Sequence, residues 1–422
     1  MRDAEIITPE LERELARLAP IDAVVGVATW NNAETVDGIL RVARRGAALN
    51  GNLRTIVVHA DDGSDDETLA RAREALQSDD TTPAVSLSDP TARRPGQDLA
   101  GGGLRSIMQL AHRVGARGCA VLDATMLGAA PDWVARLLTP MLEQEVDFVA
   151  PYYLRQRFAG AIVSSIVYPM VRALYGKRVR FPLAEDFACS SRLLVRYLGR
   201  KELRGSEPRR GRPDLWVTTQ ALSGGYRLRQ VFLGDKRPPA DAGAEDLARV
   251  LTRVLGALFA EIERDLVVWQ KVRGSEPVAL EGAVPRVDPG AAAIDGKRAL
   301  DGFRLGLENL REIWALALPP LTLLELKKLA RLPDDRFRLP DQLWARIVYD
   351  FALAYRIRTL NRDHLLAAFT PLYLGWLGGL VAEAGDADAA ALEVRLEQLC
   401  LQYESEKPYL ISRWRWPDRF NP

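Results

Sequence analysis

The stretch AVVGVATWNN, residues 23–32, is a run of β-branched and small apolar residues that stops at two asparagines. It runs into TVDGILRVARRGAAL, residues 35–49, where apolar residues recur with the spacing of one helix face. The stretches RTIVVHADDGSDD, residues 54–66, and GCAVLDATM, residues 118–126, are again typical of strands that end in polar residues. Strands that alternate with helices predict an α/β fold with a parallel, doubly wound sheet.

The next hundred residues predict two more strands and an acidic loop. DFVAPYYL, residues 147–154, and YRLRQVFLG, residues 226–234, have the composition of strands. PLAEDFACSS, residues 182–191, is predicted to be a loop with a turn.

The pattern becomes strongly helical after about residue 240, as in AEDLARVLTRVLGALFAEIERDLVVW. The length of 422 residues calls for two or three domains. We therefore predict an α/β domain over residues 1–240 and an all-helical C-terminal domain over residues 241–422. Residues 273–300, which contain three prolines and several glycines, are expected to be a loop or linker.

The composition is that of a globular protein, with 48% hydrophobic and 27% charged residues. Lys and Arg total 57 and Asp and Glu total 56, so the chain has no basic field that would favour nucleic acid. Its three cysteines are far apart and odd in number, which predicts buried thiols and no disulfide framework.

Two stretches are candidates for membrane or export segments, and neither has the required pattern. Residues 1–18 are charged and lack the apolar centre of a signal peptide. Residues 369–382, FTPLYLGWLGGLVA, are apolar but too short to span a bilayer, and we expect a core helix there. A cytoplasmic location without a membrane span is the expectation, and the helical part is expected to contribute to a homodimer.

Polar side chains stand where the predicted strands end. Asn31 follows the first strand, Asp61 and Asp62 follow the second, and Asp123 follows the third. Ligands of parallel α/β sheets bind beyond the carboxyl ends of the strands. The sequence therefore predicts a ligand site at this edge of the sheet.

These strand ends also resemble a known family. A strand ending in Thr-x-Asn, then DDGS, then the Gly-rich turn RPGQDLAGGG, then a strand ending in Asp resembles the nucleotide-sugar-dependent glycosyltransferases of the GT-A fold, family-2-like in the first half. Among these enzymes the chain resembles the mannosylglycerate and glucosylglycerate synthases. The matching pieces are RPGQ, LDATMLGAAPDWV, PYYLRQRFAG, RPDLWVTTQALSGGY and LGDK, followed by a helical tail.

The resemblance implies transfer of a hexose from a nucleotide sugar to a small acceptor such as glycerate. It also implies which residues contact the nucleotide sugar: Thr29, Asn31, Asp61, Asp62, Gln97 and Lys236. The alternative for DDGS is a plain acidic turn, because Asp and Gly favour turns in any protein.

The resemblance further implies a divalent cation, Mg²⁺ or Mn²⁺, held by Asp123 and Thr125. Such an ion neutralises the negative charge that develops on a departing nucleoside diphosphate. The chain departs from the family in three places around this site. Thr125 stands for a second aspartate, Gln97 for a lysine, and Pro238 for a histidine.

A weakened metal site is therefore expected, and two ways to compensate remain open. Asp235 or Asp241 could replace the missing histidine, because hard cations prefer oxygen ligands. Alternatively, Lys236 and Arg237 could neutralise the diphosphate without a metal.

The reacting end of the site is predicted from three later segments. Glu185, Asp186 and Asp214 are the candidates for orienting the acceptor hydroxyl or taking its proton. Arg155 and Arg157 could hold an anionic acceptor, because a guanidinium binds a carboxylate with two hydrogen bonds. The structural alternatives are an acidic turn, a helix cap and two exposed arginines.

A second class of function stays open. The altered metal motif also suits a catalytically weak or inactive relative that binds nucleotide or sugar, or a partner subunit. The three histidines, His59, His112 and His364, lie in strand or helix patterns and are predicted to be core or flank residues rather than ligands.

Overall fold

The computed structural model describes residues 8–417, apart from residues 50, 52, 78–81, 89–101, 126, 184, 201–212, 238–245, 286–289 and 386. At its centre lies an eight-stranded sheet. In chain order its strands are β1 (Ala23–Thr29), β2 (Thr55–Asp61), β3 (Ala84–Ser88), β4 (Gly118–Asp123), β5 (Phe148–Leu154), β7 (Phe187–Ser190), β8 (Leu228–Asp235) and β10 (Leu280–Glu281). The strands β6 (Lys177–Arg178) and β9 (Glu276–Pro277) form a separate parallel pair.

The spatial order in the sheet is β10-β8-β5-β7-β4-β1-β2-β3. In the described part of the chain the pairs are parallel except for β7, which is antiparallel to both β4 and β5. The segment PLAEDFACSS thus contains a strand where a loop was predicted, and that prediction is wrong for residues 187–190. The strands that the sequence did predict, β1, β2, β4, β5 and β8, are confirmed.

Helices cover both faces of the sheet. Those before residue 240 are α1 (Pro9–Leu18), α2 (Val36–Leu49), α3 (Thr68–Leu76), α4 (Gly102–Arg113), α5 (Asp132–Glu143), α6 (Tyr168–Tyr175), α7 (Ser191–Gly199) and α8 (Pro213–Ser223), with a π-helical turn at Val163–Val167 before α6. Alternate strand residues face two separate cores, with Val24 in one and Val25 in the other. Strands buried on both faces explain the nearly continuous apolar runs in the sequence. The predicted fold class, a Rossmann-like α/β domain followed by a helical region, is confirmed by this architecture.

The region after residue 245 is mainly helical. Its helices are α9 (Leu247–Arg264), α10 (Leu266–Trp269), α11 (Gly296–Asn309), α12 (Arg311–Ala317), α13 (Pro320–Leu329), α14 (Asp341–Ile357), α15 (Arg362–Ala367), α16 (Thr370–Ala384), α17 (Ala389–Ser405) and α18 (Lys407–Arg415), with a 3₁₀ turn at Asp334–Arg336. Large aromatic residues fill its core, among them Trp314, Trp344 and Trp376. This core is continuous with the one on the α4 face of the sheet.

The predicted boundary at residue 240 lies outside the described residues and stays a prediction. Residues 276–281 contribute β9 and β10, so the sheets extend into the predicted linker. The described cysteines are free and buried, as predicted. One helical stretch of the described chain, Arg362–Ala384, is long and apolar enough to cross a membrane by length and composition, but 67% of its apolar window is buried in the protein. That burial agrees with the core helix predicted for residues 369–382.

Candidate functional site

One edge of the sheet gathers the polar strand ends. The parallel strands β1, β2, β4, β5 and β8 all end at this edge, and the antiparallel β7 begins there. Asp186 immediately precedes β7 and therefore lies between the ends of β4 and β5. This topology brings Asp123, Asp186 and Lys236 together, although they are far apart in sequence.

Lys236 lies at the centre of this group, with 3% of its side chain exposed. Its Nζ is 2.8 Å from Asp123 Oδ2 and 2.5 Å from Asp186 Oδ2. Glu185 is more distant, at 3.7 Å, and 30% of its side chain is exposed. The Tyr153 hydroxyl donates to Asp186 Oδ2, and the Lys236 ammonium lies 5.0 Å from the centre of the Tyr153 ring. We call Asp123, Tyr153, Asp186 and Lys236 the lysine cluster.

The remaining oxygens of both aspartates are also engaged. Asp123 Oδ1 accepts from the Thr125 backbone N–H at 2.8 Å and from the Thr125 hydroxyl at 2.7 Å. Asp186 Oδ1 accepts from the Asp123 backbone N–H at 2.8 Å. Each carboxylate oxygen thus faces a hydrogen-bond donor or the ammonium, which is how buried charged groups are normally accommodated.

The pKa values in the lysine cluster shift in the directions of a buried ion pair. Burial opposes ionisation of Asp123, but the Lys236 ammonium outweighs it and lowers the pKa of that carboxyl. Burial likewise disfavours the charged form of Lys236, yet Asp123 and Asp186 hold its pKa well above the usual value. Burial and the neighbouring Asp186 raise the pKa of the Tyr153 phenol. At neutral pH Asp123 and Lys236 are therefore charged and Tyr153 is neutral.

Backbone geometry fixes Lys236 in place. The pairing of β5 with β8 slips by one residue at Tyr152/Tyr153, a bulge that redirects the end of β8. Beyond the bulge, Leu127 and Arg237 exchange two backbone hydrogen bonds, of 2.7 and 3.0 Å. Gly128 has φ +109°, and a Cβ there would lie 2.3 Å from the Asp235 carbonyl oxygen. The chain after β4 and the chain after β8 are therefore joined on either side of Lys236.

The DDGS turn uses Asp61 for its own structure. Asp61 Oδ2 accepts from the backbone N–H groups of Gly63 and Ser64, at 3.0 and 2.9 Å. Its Oδ1 accepts from the hydroxyls of Ser64 and Thr29, at 2.5 and 3.2 Å. Asp61 and Thr29 are both buried, so the alternative of a structural acidic turn describes this part of the motif well.

Asn31 and Asp62 frame the turn on its two sides. Asn31 is exposed, has φ +52°, and its side-chain amide donates to Asp65 at 2.7 Å. Asp62 Oδ1 accepts from the Gly103 backbone N–H at 2.5 Å, close to the start of α4. The predicted nucleotide residues of β1 and β2 thus lie together at one edge, whereas Gln97 lies outside the described residues.

A cavity of about 720 Å³ lies next to the lysine cluster, between the end of β5 and the helical region. Its wall shares Tyr153 with the lysine cluster and includes Phe181 and Trp376. The guanidinium of Arg155 lies 5.4 Å from the centre of the Tyr153 ring and 5.5 Å from that of Phe181. Arg155 Nε is buried and makes no hydrogen bond within the described chain.

Other charged groups of the cavity wall connect the two regions. Arg157 donates to the Ala387 carbonyl oxygen, and its backbone pairs with Gly290 and Ala292. Arg180 forms an ion pair with Glu393 at 2.7 Å. The sequence singled out Arg155 and Arg157 but missed Arg180, because its role depends on a contact 213 residues along the chain.

Asp214 and His59 complete the set of predicted positions. Asp214 is the second residue of α8 and is 7% exposed, and its catalytic role stays a prediction. His59 is buried, with Nε2 2.8 Å from Thr29 Oγ1 and Nδ1 2.9 Å from Ser86 Oγ. Burial lowers the pKa of His59 to about 4, so the ring is neutral at physiological pH. The prediction that His59 is a core residue is confirmed.

The residues near Asp123 do not fit the divalent cation that the sequence suggested. The Lys236 ammonium fills the space between Asp123 and Asp186. The Thr125 hydroxyl is turned towards Asp123 as a hydrogen-bond donor. In the described ranges, no group of three or more His, Cys, Asp or Glu residues is arranged to hold a metal ion.

Comparison with known proteins gives matches in structure only. No protein-family model matches the chain, and no curated protein matches it. A crystal structure of glucosyl-3-phosphoglycerate synthase from Mycobacterium tuberculosis with Mg²⁺ and uridine diphosphate is 18% identical, with a TM-score of 0.44, over 60% of this chain and 82% of that chain. A structure of the same enzyme with Mn²⁺, uridine diphosphate and glucosyl-3-phosphoglycerate is also 18% identical, with a TM-score of 0.44, over 60% and 83%. A third structure of that enzyme is 19% identical, with a TM-score of 0.41, over 60% and 84%. A likeness of this size decides nothing about the site of the present chain.

Proposed function

We propose that this chain transfers a hexose from a nucleotide sugar to a small anionic acceptor, such as glycerate or a related acid. The observation that carries the proposal is the junction at Tyr153. On one side of Tyr153 lie the polar strand ends, and on the other lies a cavity lined by arginines. A transferase that joins two substrates needs two such compartments in contact.

The donor side is supported by the shared edge of the sheet. The ends of β1 and β2 and the start of α4 converge where Asp62 accepts from Gly103. Parallel α/β sheets bind nucleotides at such an edge. Asn31 is exposed there, whereas the burial of Thr29 and Asp61 suits a role in shaping the pocket rather than in contacting the ligand.

The acceptor side is supported by the charges of the cavity. Three arginines and two carboxylates line it, which leaves an excess of one positive charge: Arg155, Arg157, Arg180, Asp388 and Glu393. Arg155 is stacked on aromatic rings and retains donor capacity on its guanidinium. A carboxylate or phosphate is the group that such a guanidinium binds best. The cavity volume is within the range of small-molecule sites.

Glu185 is the better candidate among the adjacent acidic pair for handling the acceptor proton. Asp186 already accepts from the Asp123 backbone, from Tyr153 and from Lys236, so its carboxylate oxygens are engaged within the protein. Glu185 is more exposed and lies farther from the ammonium. Asp214 remains a candidate for positioning the reacting groups.

A second function is favoured by the lysine cluster itself. A buried ion pair that engages both aspartates also suits a protein that binds nucleotide or sugar without turnover. Location in the cytoplasm and a homodimer are further parts of the proposal, and cell fractionation and light scattering test them.

Ligand binding and turnover distinguish the two functions. Thermal-shift measurements with UDP, GDP and ADP should show stabilisation by at least one of them, since a ligand that binds the native state raises its melting temperature. Release of nucleoside diphosphate is then measured with the matching nucleotide sugars and with glycerate or phosphoglycerate. Binding without release under any combination would favour the relative that binds nucleotide without turnover. No response to any nucleotide would reject the transferase and leave an inactive relative that binds sugar or acts as a partner subunit.

The acceptor cavity has its own test. Arg155→Met should raise KM for the acceptor at least tenfold and leave nucleotide binding within twofold. Arg356→Met is the matched control, because Arg356 also stacks on an aromatic ring, Trp414, at 4.7 Å, but does not line the cavity. Equal KM values for the two variants would remove the acceptor from this cavity.

A further inference from the structure

The Lys236 ammonium lies between two carboxylates at the sheet edge where the proposed donor would bind. Its Nζ is within 2.8 Å of Asp123 and within 2.5 Å of Asp186, and the side chain is almost completely buried. These are the two carboxylates at the ends of neighbouring strands, facing the edge where the diphosphate of a donor would lie. An internal group therefore supplies positive charge at this position.

We propose that the Lys236 ammonium permanently takes the place of a divalent cation, so that the site binds its nucleotide without a metal. The inference rests on the proposed function, since a cation is expected here only if the site binds a nucleotide sugar.

The contact distances make the two cations mutually exclusive. Mg²⁺ binds carboxylate oxygens at about 2.0–2.1 Å and requires near-octahedral geometry. Asp123 Oδ2 and Asp186 Oδ2 are already within hydrogen-bond distance of Nζ, and the other two oxygens accept from Thr125 and from the Asp123 backbone. A metal could enter only if the ammonium left.

The surroundings oppose the departure of Lys236. The double hydrogen bond between Leu127 and Arg237 ties its backbone to the segment after β4, and Gly128 closes against Asp235. The Tyr153 ring covers the ammonium at 5.0 Å. The backbone pairing and the covering ring thus hold the ammonium between the two carboxylates.

The replacement also changes the local charge. Asp123, Asp186 and Lys236 together carry one negative charge, whereas a divalent ion with the same carboxylates would be neutral. Another positively charged group must therefore neutralise part of the diphosphate charge. The adjacent Arg237 is exposed at this edge and is the candidate for that role. Nucleotide affinity should then depend on protein cations and not on added metal.

Manganese titration tests the inference on the full chain. In electron paramagnetic resonance or calorimetry, the wild type should bind no Mn²⁺ at this site, with or without UDP, GDP or ADP. Lys236→Met should gain Mn²⁺ affinity at least tenfold, because two carboxylates then face each other without a cation. Adding Thr125→Asp to Lys236→Met should increase the affinity further.

Lys407 provides the matched control. It is also a buried lysine, but its ammonium donates to the carbonyl oxygens of Ala173 and Val272 at 2.8 and 2.9 Å. Lys407→Met should therefore gain no Mn²⁺ affinity. The triple variant Asp123→Asn, Asp186→Asn, Lys236→Met should also gain none, since it lacks the carboxylates.

The wild type decides the question even if Lys236→Met fails to fold. Its nucleotide affinity should agree within twofold in chelator and in saturating Mn²⁺. Nucleotide binding at least tenfold tighter with Mn²⁺ would overturn the inference and leave the proposed function standing. Absence of nucleotide binding together with the expected gain in Lys236→Met would instead reject the proposed function and leave Lys236 as the resident cation. Failure of a folded Lys236→Met to gain Mn²⁺ affinity would also overturn the inference.

Discussion

At the scale of single residues, His59 is the group whose burial has the clearest consequence for stability. Thr29 donates to Asp61, so His59 Nε2–H donates to Thr29 and Nδ1 accepts from Ser86. This chain of hydrogen bonds suits a neutral ring, and burial lowers the pKa of His59 from 6.5 to about 4. A ring that stays neutral when folded but becomes protonated when unfolded stabilises the unfolded state as the pH falls below 6.5.

We expect the His59 contribution to stability to be complete above pH 6.5 and to be lost between pH 6.5 and about 4. The loss should approach about 1.4 kcal/mol per pH unit within this window. Urea unfolding of the wild type and of His59→Gln between pH 7.5 and pH 4.5 measures it, since other groups contribute equally to both proteins. The difference in unfolding free energy should shrink as the pH falls. A difference that is constant with pH would mean that His59 titrates normally in the folded protein.

Asp61 shows where residue types alone mislead. The motif DDGS is compatible with a nucleotide contact and equally with a structural acidic turn, because both use a carboxylate next to a tight turn. In the structure, Asp61 accepts four hydrogen bonds, three from the turn and one from Thr29. Which partner a carboxylate takes depends on the neighbouring strand, and this information is not present in the motif.

Asp61→Ala should therefore destabilise the fold before it affects any ligand. The buried hydroxyl of Thr29 and the half-buried donors of Gly63 and Ser64 would lose their acceptor, and we expect a loss of about 2–3 kcal/mol in unfolding free energy. Asp37→Ala is the control, because Asp37 forms an exposed pair with Arg41 and should cost less than about 0.5 kcal/mol. Chemical denaturation at pH 7 measures both. If the two variants were equally stable, the structural role of Asp61 would be rejected, and the predicted role as a ligand contact would stand.

At the scale of elements, the joint between β4 and β8 determines where Lys236 lies. Apolar runs were enough to predict β1, β2, β4, β5 and β8 from the sequence. The strand β7 was missed because it has only four residues and follows an acidic turn. Without β7, the sequence could not indicate that Asp186 lies between Asp123 and Tyr153. The bulge near the end of β8 could not be predicted from the sequence either, because it depends on pairing with β5.

Gly128→Ala should disrupt the contact between the segments that follow β4 and β8. A methyl group at φ +109° is strained and would meet the Asp235 carbonyl oxygen at 2.3 Å. We expect a loss of about 2–4 kcal/mol in unfolding free energy, from backbone strain and from displacement of the Leu127–Arg237 pairing. Gly115→Ala is the control, because Gly115 also has positive φ, +69°, but open space around it, and should cost about 1 kcal/mol. Thermal and urea unfolding measure both, and equal losses would mean that the close approach at Gly128 is relaxed in solution.

At the scale of the whole molecule, buried polar contacts join the sheet region to the helical region. Trp344 and Tyr403 both donate to the Ser165 carbonyl oxygen, which the π-helical turn leaves available. The arginine-lined cavity lies along the same junction. The shape of the proposed acceptor site therefore depends on how the two regions pack, and such long-range pairing could not be predicted from the separate helix and strand patterns.

Arg172 links the two regions through ion pairs. Its side chain is fully buried in α6 and binds Glu397 and Glu404 of α17 at 2.5 and 2.6 Å. Arg172→Met removes hydrogen bonds to two carboxylates and leaves the partly buried Glu404 without its cation, so it should lower the unfolding free energy by about 2 kcal/mol. Arg41→Met, in an exposed pair with Asp37, should change it by less than about 0.5 kcal/mol. Calorimetry measures both, and we expect Arg172→Met to separate one cooperative transition into two, because the helical region then unfolds apart from the sheet. A single transition at the wild-type temperature would show that the apolar core shared by the two regions holds them together without this ion pair.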